Sequence, residues 1–447
     1  MDASQRLPEH DPRSATGNPR MCPARAVMLW LLWSAMPVAC VAGVEFAPAD
    51  TSPACSAPRF VRDPAMDRYA RMLAGMPVAG VGPAITTHAR QMDGSFVRLE
   101  KVQLGRIRRW SATVLPPDVS GAEVLFYPFS GPDVLYPTAL FPHARKLLFT
   151  GLETVGAPPT AEDFGSADLP DSFAELRRSL VSLLGQSFFV TAQMQQQFHR
   201  NRFRGATPIL LLLLARAGHR IDSVAALRLD DDGRLCAREF AERRDAAGIG
   251  IRFRAAGESA LRSLVYLRAD LSDRGLAGTP GYARLVRGLG VRVSFLKSAS
   301  YLLHTREFSD IRELLLEVSP ALLQDDSGIP WRSFPSTLWA STVYGAYRRG
   351  GGGFENQVQA DLRDAYLAAP ARPLPFWIGY RRSATDSNLQ LYRRRAPLPE
   401  SALKYFHTQG RRTSRTIAPS RCRSRCGHES CVCAFNPPSA PASPRSR

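Results

Sequence analysis

The sequence predicts an α/β fold built on a mixed, partly parallel sheet with a helical central segment. First, two short apolar runs, Glu123–Tyr127 and Lys146–Thr150, flank a stretch of helical character, as in the strand-loop-helix-strand unit of a Rossmann-like fold. Second, helix-length apolar patterns occupy Phe173–Gln186 and Pro208–Ala217. Third, further strand-like runs follow these helices, so strands and helices alternate along the chain, as in α/β proteins.

Composition and charge narrow the class of protein. The chain has 447 residues and 45% hydrophobic content, which is normal for a globular core. Its formal net charge is +18, and residues 393–447 carry 12 Lys plus Arg against 2 Glu, a net of 12 − 2 = +10. Because most of the charge is terminal and the remaining arginines are scattered, nucleic-acid binding by the globular part is disfavoured.

The beginning of the chain is typical of a secretory signal. We interpret residues 1–43 as a signal peptide with an over-long start, in which Arg20 and Arg25 precede the apolar run Ala26–Val38. That run is too short to span a bilayer comfortably. Cleavage is expected near Gly43, or alternatively before Cys40, which would then carry a lipid anchor. The sequence therefore predicts a periplasmic or secreted protein that meets the membrane only through this region.

Three further segments complete the predicted organisation. Residues 44–59 form a linker rich in Pro, Ala and Ser, residues 60–406 a single α/β domain, and residues 407–447 a disordered basic tail. The tail contains clustered cysteines and a histidine, but it lacks apolar residues to pack around a metal, so a zinc knuckle is disfavoured. These metal-ligand candidates are Cys422, Cys426, Cys431, Cys433 and His428.

The remaining elements of the domain follow from hydrophobic periodicity. The predicted helices are Asp67–Met76, Val134–Leu140, Asp310–Val318 and Glu355–Tyr366. The predicted strands are Arg98–Val114 (one or two strands around Trp110), Ile221–Asp230, Gly250–Arg254, Ser263–Arg268, Val291–Phe295 and Trp339–Tyr347. A closing hairpin is predicted from Phe376–Tyr380 and Leu389–Tyr392.

The first polar loop follows the strand Glu123–Tyr127. Pro128 cannot donate to a strand ladder, so the strand ends there, and Asp133 is a good N-cap for the helix Val134–Leu140. Glu153 follows the next strand in the same way. If the two strands are parallel, both loops lie at the edge where open α/β sheets bind ligands.

Two later blocks, Phe295–His304 and Leu322–Pro330, repeat this exit from an apolar run into a polar loop. We therefore expect three loops to meet at one end of the sheet, where paired acids could perform acid/base chemistry or hold a cation. In the alternative interpretation, the same acids only cap helices, pair with arginines and pin the fold. The candidate site residues are Asp133, Glu153, Lys297, His304, Asp325 and Asp326.

Four strings carry a resemblance to a known group of sequences: Phe126–Asp133, Gly151–Glu153, Leu296–Tyr301 and Gln324–Pro330. Across roughly Arg98 to Tyr392, the chain resembles an uncharacterised family of exported bacterial proteins, some of them lipoproteins. The resemblance implies an exported location and one continuous domain. It implies no reaction, because that family has no known activity.

Familiar catalytic motifs do not define a function for this chain. The sequence has no Gly-x-Ser-x-Gly elbow, no His-Glu-x-x-His helix and no Walker loop. The unit that ends in Glu153 has the outline of a nucleotide or S-adenosylmethionine half-site, but three glycines at fingerprint spacing are missing and an exported protein would not meet that cofactor, so no cofactor is predicted. The sequence leaves open whether the chain is an enzyme. We predict an exported protein with a small-ligand or hydrolytic site, or alternatively a non-catalytic module with an envelope partner.

Overall fold

The computed structural model describes residues 55–186, 202–238, 248–347, 358–370 and 372–396. These residues belong to one compact unit, Ala54–Arg447, so they are consistent with the predicted single domain. Several predicted segments lie outside the described residues: the signal peptide, the candidate lipid-anchor residue Cys40, most of the linker, the last residues of the predicted domain and the cysteine-containing tail.

The described strands form one ten-stranded mixed sheet, which confirms the predicted α/β class. The strands are β1 Val124–Tyr127, β2 Lys146–Gly151, β3 Arg220–Leu229, β4 Leu235–Ala237, β5 Gly248–Arg254, β6 Arg262–Arg268, β7 Val293–Leu296, β8 Ala321–Gln324, β9 Trp339–Gly345 and β10 Asn388–Arg394. Their order across the sheet is β4-β3-β5-β6-β2-β1-β7-β8-β10-β9.

Helices connect these strands. They are α1 Pro64–Leu73, α2 Pro83–Leu99, α3 Gly105–Val114, α4 Pro117–Ser120, α5 Leu135–Leu140, α6 Ala161–Gly165, α7 Leu169–Gln186, α8 Ala206–Arg216, α9 Asp273–Ala277, α10 Gly281–Gly288, α11 Ser309–Val318 and α12 Ala360–Ala368. A π-helical segment, Glu100–Leu104, joins α2 to α3. Short 3₁₀ helices are Ser298–His304, Arg306–Phe308, Trp331–Ser333 and Ala384–Asp386.

The centre of the sheet is parallel and doubly wound. β6, β2, β1, β7 and β8 pair in parallel, and in chain order they are the third, second, first, fourth and fifth of these strands. This is the order of Rossmann-like sheets, in which the chain reverses its winding direction between the first and fourth strands. The reversal point in this protein therefore lies between β1 and β7, and their carboxyl ends open at the same edge.

Antiparallel strands extend the parallel centre on both sides. β5, β3 and β4 continue from β6, while β10 pairs with both β8 and β9 on the opposite side. The parallel strands are apolar on both faces: Leu125 and Tyr127 of β1 lie in one core cluster, and Phe126 between them lies in the other. Burial on both faces explains why β1 and β2 read as continuous apolar runs rather than as alternating patterns.

Helix α8 lies in the larger of the two core clusters, and all ten of its residues from Ala206 to Ala215 are buried. Several predicted helices are confirmed within a few residues, namely those at α5, α7, α8 and α11, and so are the predicted strands at β1, β2, β3, β5, β6 and β7. The predicted helix Glu355–Tyr366 is described only from residue 358, where α12 occupies Ala360–Ala368.

The prediction of strands over Arg98–Val114 is wrong, because this region is helical from α2 through the π segment into α3. Its buried residues, including Leu99, Leu104, Ile107 and Trp110, recur every three to five positions, which is a helical and not a strand spacing. The π turn absorbs one extra residue and keeps the apolar side of both helices on the core.

The predicted hairpin of Phe376–Tyr380 with Leu389–Tyr392 is also wrong. Leu389–Tyr392 belongs to β10, which pairs with β9 and β8, whereas Phe376–Tyr380 is a loop. Gln103 holds this loop: its side-chain amide donates to the Trp377 carbonyl at 2.8 Å, and its amide oxygen accepts from the Trp377 backbone N–H at 3.1 Å. Side-chain hydrogen bonds thus replace the strand ladder that its apolar, aromatic composition suggested.

The fold begins earlier than residue 60. Cys55 forms a disulfide with Cys236 of β4, and the Ser56 carbonyl accepts a hydrogen bond of 2.7 Å from the Ala237 backbone N–H. The ring of Phe60 lies under the Arg252 guanidinium at 4.2 Å. Residues 55–59, which composition assigned to the linker, are therefore attached to the antiparallel extension of the sheet.

Removing this disulfide with the double substitution Cys55→Ser and Cys236→Ser is expected to lower the free energy of unfolding by about 2–5 kcal/mol, because the bond closes a long loop in the unfolded chain. Urea denaturation of the variant and the wild type measures the difference. Adding a thiol reductant should lower the wild-type midpoint toward that of the variant. Equal midpoints in the absence of reductant would contradict the assigned disulfide.

Candidate functional site

The candidate site lies at the carboxyl edge of the parallel strands, where β1 and β7 end side by side. β1 ends at Tyr127 and is followed by the loop 128–133, and β7 ends at Leu296 and is followed by Lys297 and the 3₁₀ helix Ser298–His304. In doubly wound sheets the chain winds away from this point in opposite directions, and the crevice between the two flanking loops is where such sheets bind ligands.

A buried ion pair crosses this reversal point. Lys297 Nζ lies 2.6 Å from Asp133 Oδ2, and each side chain is only 2% exposed. The same ammonium group lies 4.1 Å from the centroid of the Tyr136 ring. Tyr127 OH also donates to Asp133 Oδ2 at 3.4 Å. The ion pair therefore links the loops that follow β1 and β7, and both of its charges are buried.

Asp133 also bonds to the first turn of α5, although the N-cap residue of that helix is Val134, one position later than the sequence predicts. Asp133 Oδ1 accepts from the Tyr136 backbone N–H at 3.4 Å, at the start of α5. Burial raises the pKa of Tyr127 well above its ordinary value, and the neighbouring Asp133 and Asp325 carboxylates act in the same direction. Tyr127 is therefore held as a neutral hydrogen-bond donor.

Asp325, at the end of β8, is held by the loop that follows β7. Its Oδ2 accepts from the Ser298 backbone N–H at 3.1 Å, and its Oδ1 accepts from the Ser327 N–H at 3.0 Å and the Ser327 hydroxyl at 2.5 Å. Burial, and then the nearby Asp326, raise the pKa of Asp325 to about 6, against the lowering effect of these hydrogen bonds. A Cβ atom on Gly379 would overlap this carboxylate, so only glycine fits there.

The three loops that the sequence singles out are joined in the structure. Lys297 bonds to the loop after β1, and its neighbour Ser298 bonds to the loop after β8. A hydrogen bond of 2.8 Å between the Ser300 and Ser327 hydroxyls adds a second link. Asp133, Lys297 and Asp325 therefore belong to one buried polar network, whose chemical role remains a prediction.

Glu153 lies beside this network and not in it. Its Oε2 accepts from the Tyr266 hydroxyl at 3.0 Å, and its carboxylate lies against Gly131 of the loop after β1. A Cβ atom on Gly151 would overlap both Glu153 and Tyr266, which explains the glycine at the end of β2. The loop itself is tied to β2, because the Ser130 N–H donates to the Thr150 carbonyl at 2.8 Å.

The other two predicted residues face different partners. Asp326 Oδ2 lies 2.5 Å from Arg381 Nη2, and Arg381 Nη1 also reaches Asp386 at 3.4 Å. The ring of His304 bonds to the Gly328 backbone, and burial lowers its pKa, so the imidazole is neutral at pH 7. Asp326 therefore serves as an ion-pair partner of a loop arginine, which matches the alternative interpretation of the sequence.

Two residues at the reversal point have strained backbones. Among the described non-glycine residues, only Phe129 (φ 60°) and Ser298 (φ 60°) adopt left-handed conformations, each two positions beyond the end of its strand. The Phe129 ring lies 5.9 Å from that of Phe308. The Ser298 side chain is 4% exposed, and its buried hydroxyl has no hydrogen-bond partner among the described residues.

Among the described residues, the acids at the carboxyl edge belong to no group of three candidate metal ligands, and their use as a cation site stays a prediction. In the described part of the chain, the one group of three His, Cys, Asp or Glu ligand atoms within 4.8 Å of one another is Cys55, Asp230 and Cys236, and its two cysteines form the disulfide. The acids at the carboxyl edge bind hydroxyls, backbone N–H groups and cationic side chains instead.

Sequence reasoning missed Tyr127, Tyr266, Arg381 and the loop that carries Gly379. Tyr127 and Ser298 lie inside two of the four strings that carry the resemblance to exported proteins. The sequence therefore indicated that these segments matter, but it did not indicate the role of either residue. No local sequence pattern predicts that Tyr266, Arg381 and Gly379 contact the candidate residues, because each comes from a distant part of the chain.

The fold and site together define an α/β protein with a doubly wound parallel core and a buried charged network at its reversal point. Comparisons with protein-family models, curated proteins and solved structures give no match for the chain. Within the described ranges, no helix has the length and apolarity needed to cross a membrane. The resemblance to exported bacterial proteins stays a prediction.

Breaking the ion pair at one end should destabilise the protein. Lys297→Met leaves the Asp133 carboxylate buried without its cation, and we expect a loss of about 3–5 kcal/mol in the free energy of unfolding. The double variant Lys297→Met with Asp133→Asn should lose less, because it leaves no unpaired charge. Chemical denaturation measures both, with the partly exposed Arg287–Glu317 pair as control, where Arg287→Met should change stability by about 1 kcal/mol or less.

The pKa of Asp325 predicts a pH dependence. Because the folded state raises this pKa from 3.8 to about 6, the folded state binds the proton more tightly than the unfolded state. The resulting stabilisation is complete below about pH 4 and is lost as the pH rises to about 6. The difference in unfolding free energy between wild type and Asp325→Asn should fall by an amount on the order of 3 kcal/mol over this range and stay constant above it. A constant difference from pH 4 to 7 would contradict the raised pKa.

Proposed function

We propose that this chain is an exported protein, periplasmic or secreted, that binds a small molecule at the carboxyl edge of its sheet between β1 and β7. The observation that carries the proposal is the pair of left-handed residues, Phe129 and Ser298, on the two loops that flank the reversal point. Both occupy the same position relative to the strand that precedes them.

A left-handed backbone at a residue other than glycine costs on the order of 1–3 kcal/mol and persists where the surrounding structure requires it. Such residues concentrate at ligand-binding and catalytic sites. Glycine would remove the strain at both positions, so a purely structural loop has a simpler solution. The coincidence of two such residues at the crevice of a doubly wound sheet supports a binding role.

Export is supported by the Cys55–Cys236 disulfide together with the signal-like start of the sequence. Disulfides form and persist in oxidising compartments and are rare in the cytosol. A lipid anchor at Cys40 is the form of export in which the protein would remain at the membrane. Nucleic acid is not among the proposed partners of the globular part.

One observation favours a second function, a non-catalytic module for interaction within the cell envelope. Asp133 and Asp325 have their hydrogen-bonding capacity largely filled by Lys297, Tyr127, Ser298 and Ser327. In that alternative the network only fixes the three loops, and no small molecule stabilises the protein.

A melting-temperature screen of the purified chain against metals, sugars, peptides and nucleosides tests the proposal. A ligand that binds the folded state raises the melting temperature by mass action. We expect at least one class to raise it in the wild type, and the shift to be lost in the double variant Lys297→Met with Asp133→Asn, which removes the charges from the crevice.

The control is the double variant Arg287→Met with Glu317→Gln, an ion pair between α10 and α11 that lies outside the site. It should keep the ligand-induced shift. If no class shifts the wild type, or if both double variants keep the shift, the site is not at this edge and the envelope-module alternative gains support.

A further inference from the structure

We infer that Ser298 is a nucleophilic serine that attacks the carbonyl group of a carboxylic ester bound in the crevice between β1 and β7. This inference rests on the proposed function and deepens it, because it names a reacting atom and a substrate class. It concerns a residue that no familiar sequence motif marks, since glycines are absent at the two positions that flank a nucleophile elbow.

The local architecture is that of a strand-to-helix turn with the serine at its apex. β7 ends at Leu296, Lys297 is extended (φ −156°, ψ 138°), and the 3₁₀ helix begins at Ser298. Serine nucleophiles of α/β hydrolases occupy a sharp, strained turn of this kind at the carboxyl end of a parallel strand. The left-handed backbone of Ser298 shows the same strain.

The second observation that supports a nucleophilic role is the environment of the Ser298 hydroxyl. This hydroxyl is buried and has no hydrogen-bond partner among the described residues, although neighbouring hydroxyls such as those of Ser294, Ser300 and Ser327 all have partners. Burying a hydroxyl without a partner costs about 1–3 kcal/mol. A serine whose side chain contributes no hydrogen bond and whose backbone is strained is not explained by stability.

The carboxylate that bonds the Ser298 backbone is suited to accept the proton of the Ser298 hydroxyl. Asp325 Oδ2 already bonds the backbone N–H of Ser298 at 3.1 Å, so the carboxylate is held beside the residue. A general base works best with a pKa near the operating pH, and burial has moved the pKa of Asp325 in that direction. The second carboxylate of the network, that of Asp133, is already paired with the Lys297 ammonium group.

The reaction balances as an ordinary acyl transfer. The Ser298 Oγ forms a bond to the ester carbonyl carbon while its proton moves to Asp325, and the bond to the leaving alcohol breaks as Asp325 returns that proton to the alkoxide. A water molecule then attacks the acyl carbon of the acyl-serine and gives a proton to Asp325. The bond between that carbon and Ser298 Oγ breaks as Asp325 returns the proton to Oγ, which releases the acid and restores both residues. The water and ester are the reactants, and no oxidant or reductant takes part.

A fluorophosphonate probe tests this directly, because it forms a covalent bond between its phosphorus and an activated serine oxygen and releases fluoride. We expect stoichiometric labelling of the wild-type chain, located at Ser298 by peptide mass spectrometry, and at least a tenfold loss of labelling in Ser298→Ala. Ser294→Ala, in the strand β7 that precedes Ser298, is the matched control, and it should label like the wild type.

A second variant keeps the test informative if alanine disturbs the fold. Ser298→Gly relieves the left-handed strain and removes no side-chain hydrogen bond, so it should be at least as stable as the wild type and still fail to label. Absence of labelling in the wild type, or labelling that persists in Ser298→Gly, overturns the inference. A ligand-induced melting shift in that case would leave the proposed binding function standing, so the two failures are distinguishable.

Discussion

The rest of the site depends on the buried ion pair between Lys297 and Asp133. It joins the exits of β1 and β7 at the point where the winding of the sheet reverses, and in that position the two loops would otherwise separate. An ion pair removed from water needs close geometry and further hydrogen bonds to offset desolvation, and Tyr127 and the start of α5 supply them. The pair therefore fixes the loops relative to each other more than it stabilises the protein.

With that connection in place, the adjoining residues become constrained. Ser298 follows Lys297 directly, so anchoring the lysine fixes where the serine and its N–H lie, and Asp325 receives that N–H. The strain at Ser298 and at Phe129 is tolerated because the surrounding bonds leave the chain no relaxed alternative. A polar network, a strained serine and a carboxyl with a raised pKa thus arise from one geometric constraint.

The fold was predictable to the extent that local patterns report it. β1 and β2 are short apolar runs buried on both faces, and Asp133 bonds to the first turn of α5, so the sequence predicts the strand-loop-helix-strand unit correctly except for the N-cap, which is Val134. The prediction of strands over Arg98–Val114 was wrong. Its β-branched and aromatic residues suggested strands, although its buried positions have helical spacing. The prediction of a hairpin strand at Phe376–Tyr380 was wrong because the side chain of Gln103, distant in sequence, supplies hydrogen bonds to this loop.

The sequence by itself determined the α/β class, most of the central elements and the position of Asp133, Lys297 and Asp325 at strand exits, because periodicity, prolines and capping residues act over a few positions. Only the tertiary structure decided which strand exits meet and that Asp326 forms an ion pair with Arg381. It also decided that the Ser298 backbone is strained and that the Ser298 hydroxyl has no hydrogen-bond partner among the described residues. Those outcomes depend on strand order and on burial, which bring together residues separated by 27 to 164 positions and remove the water that would otherwise satisfy their polar groups.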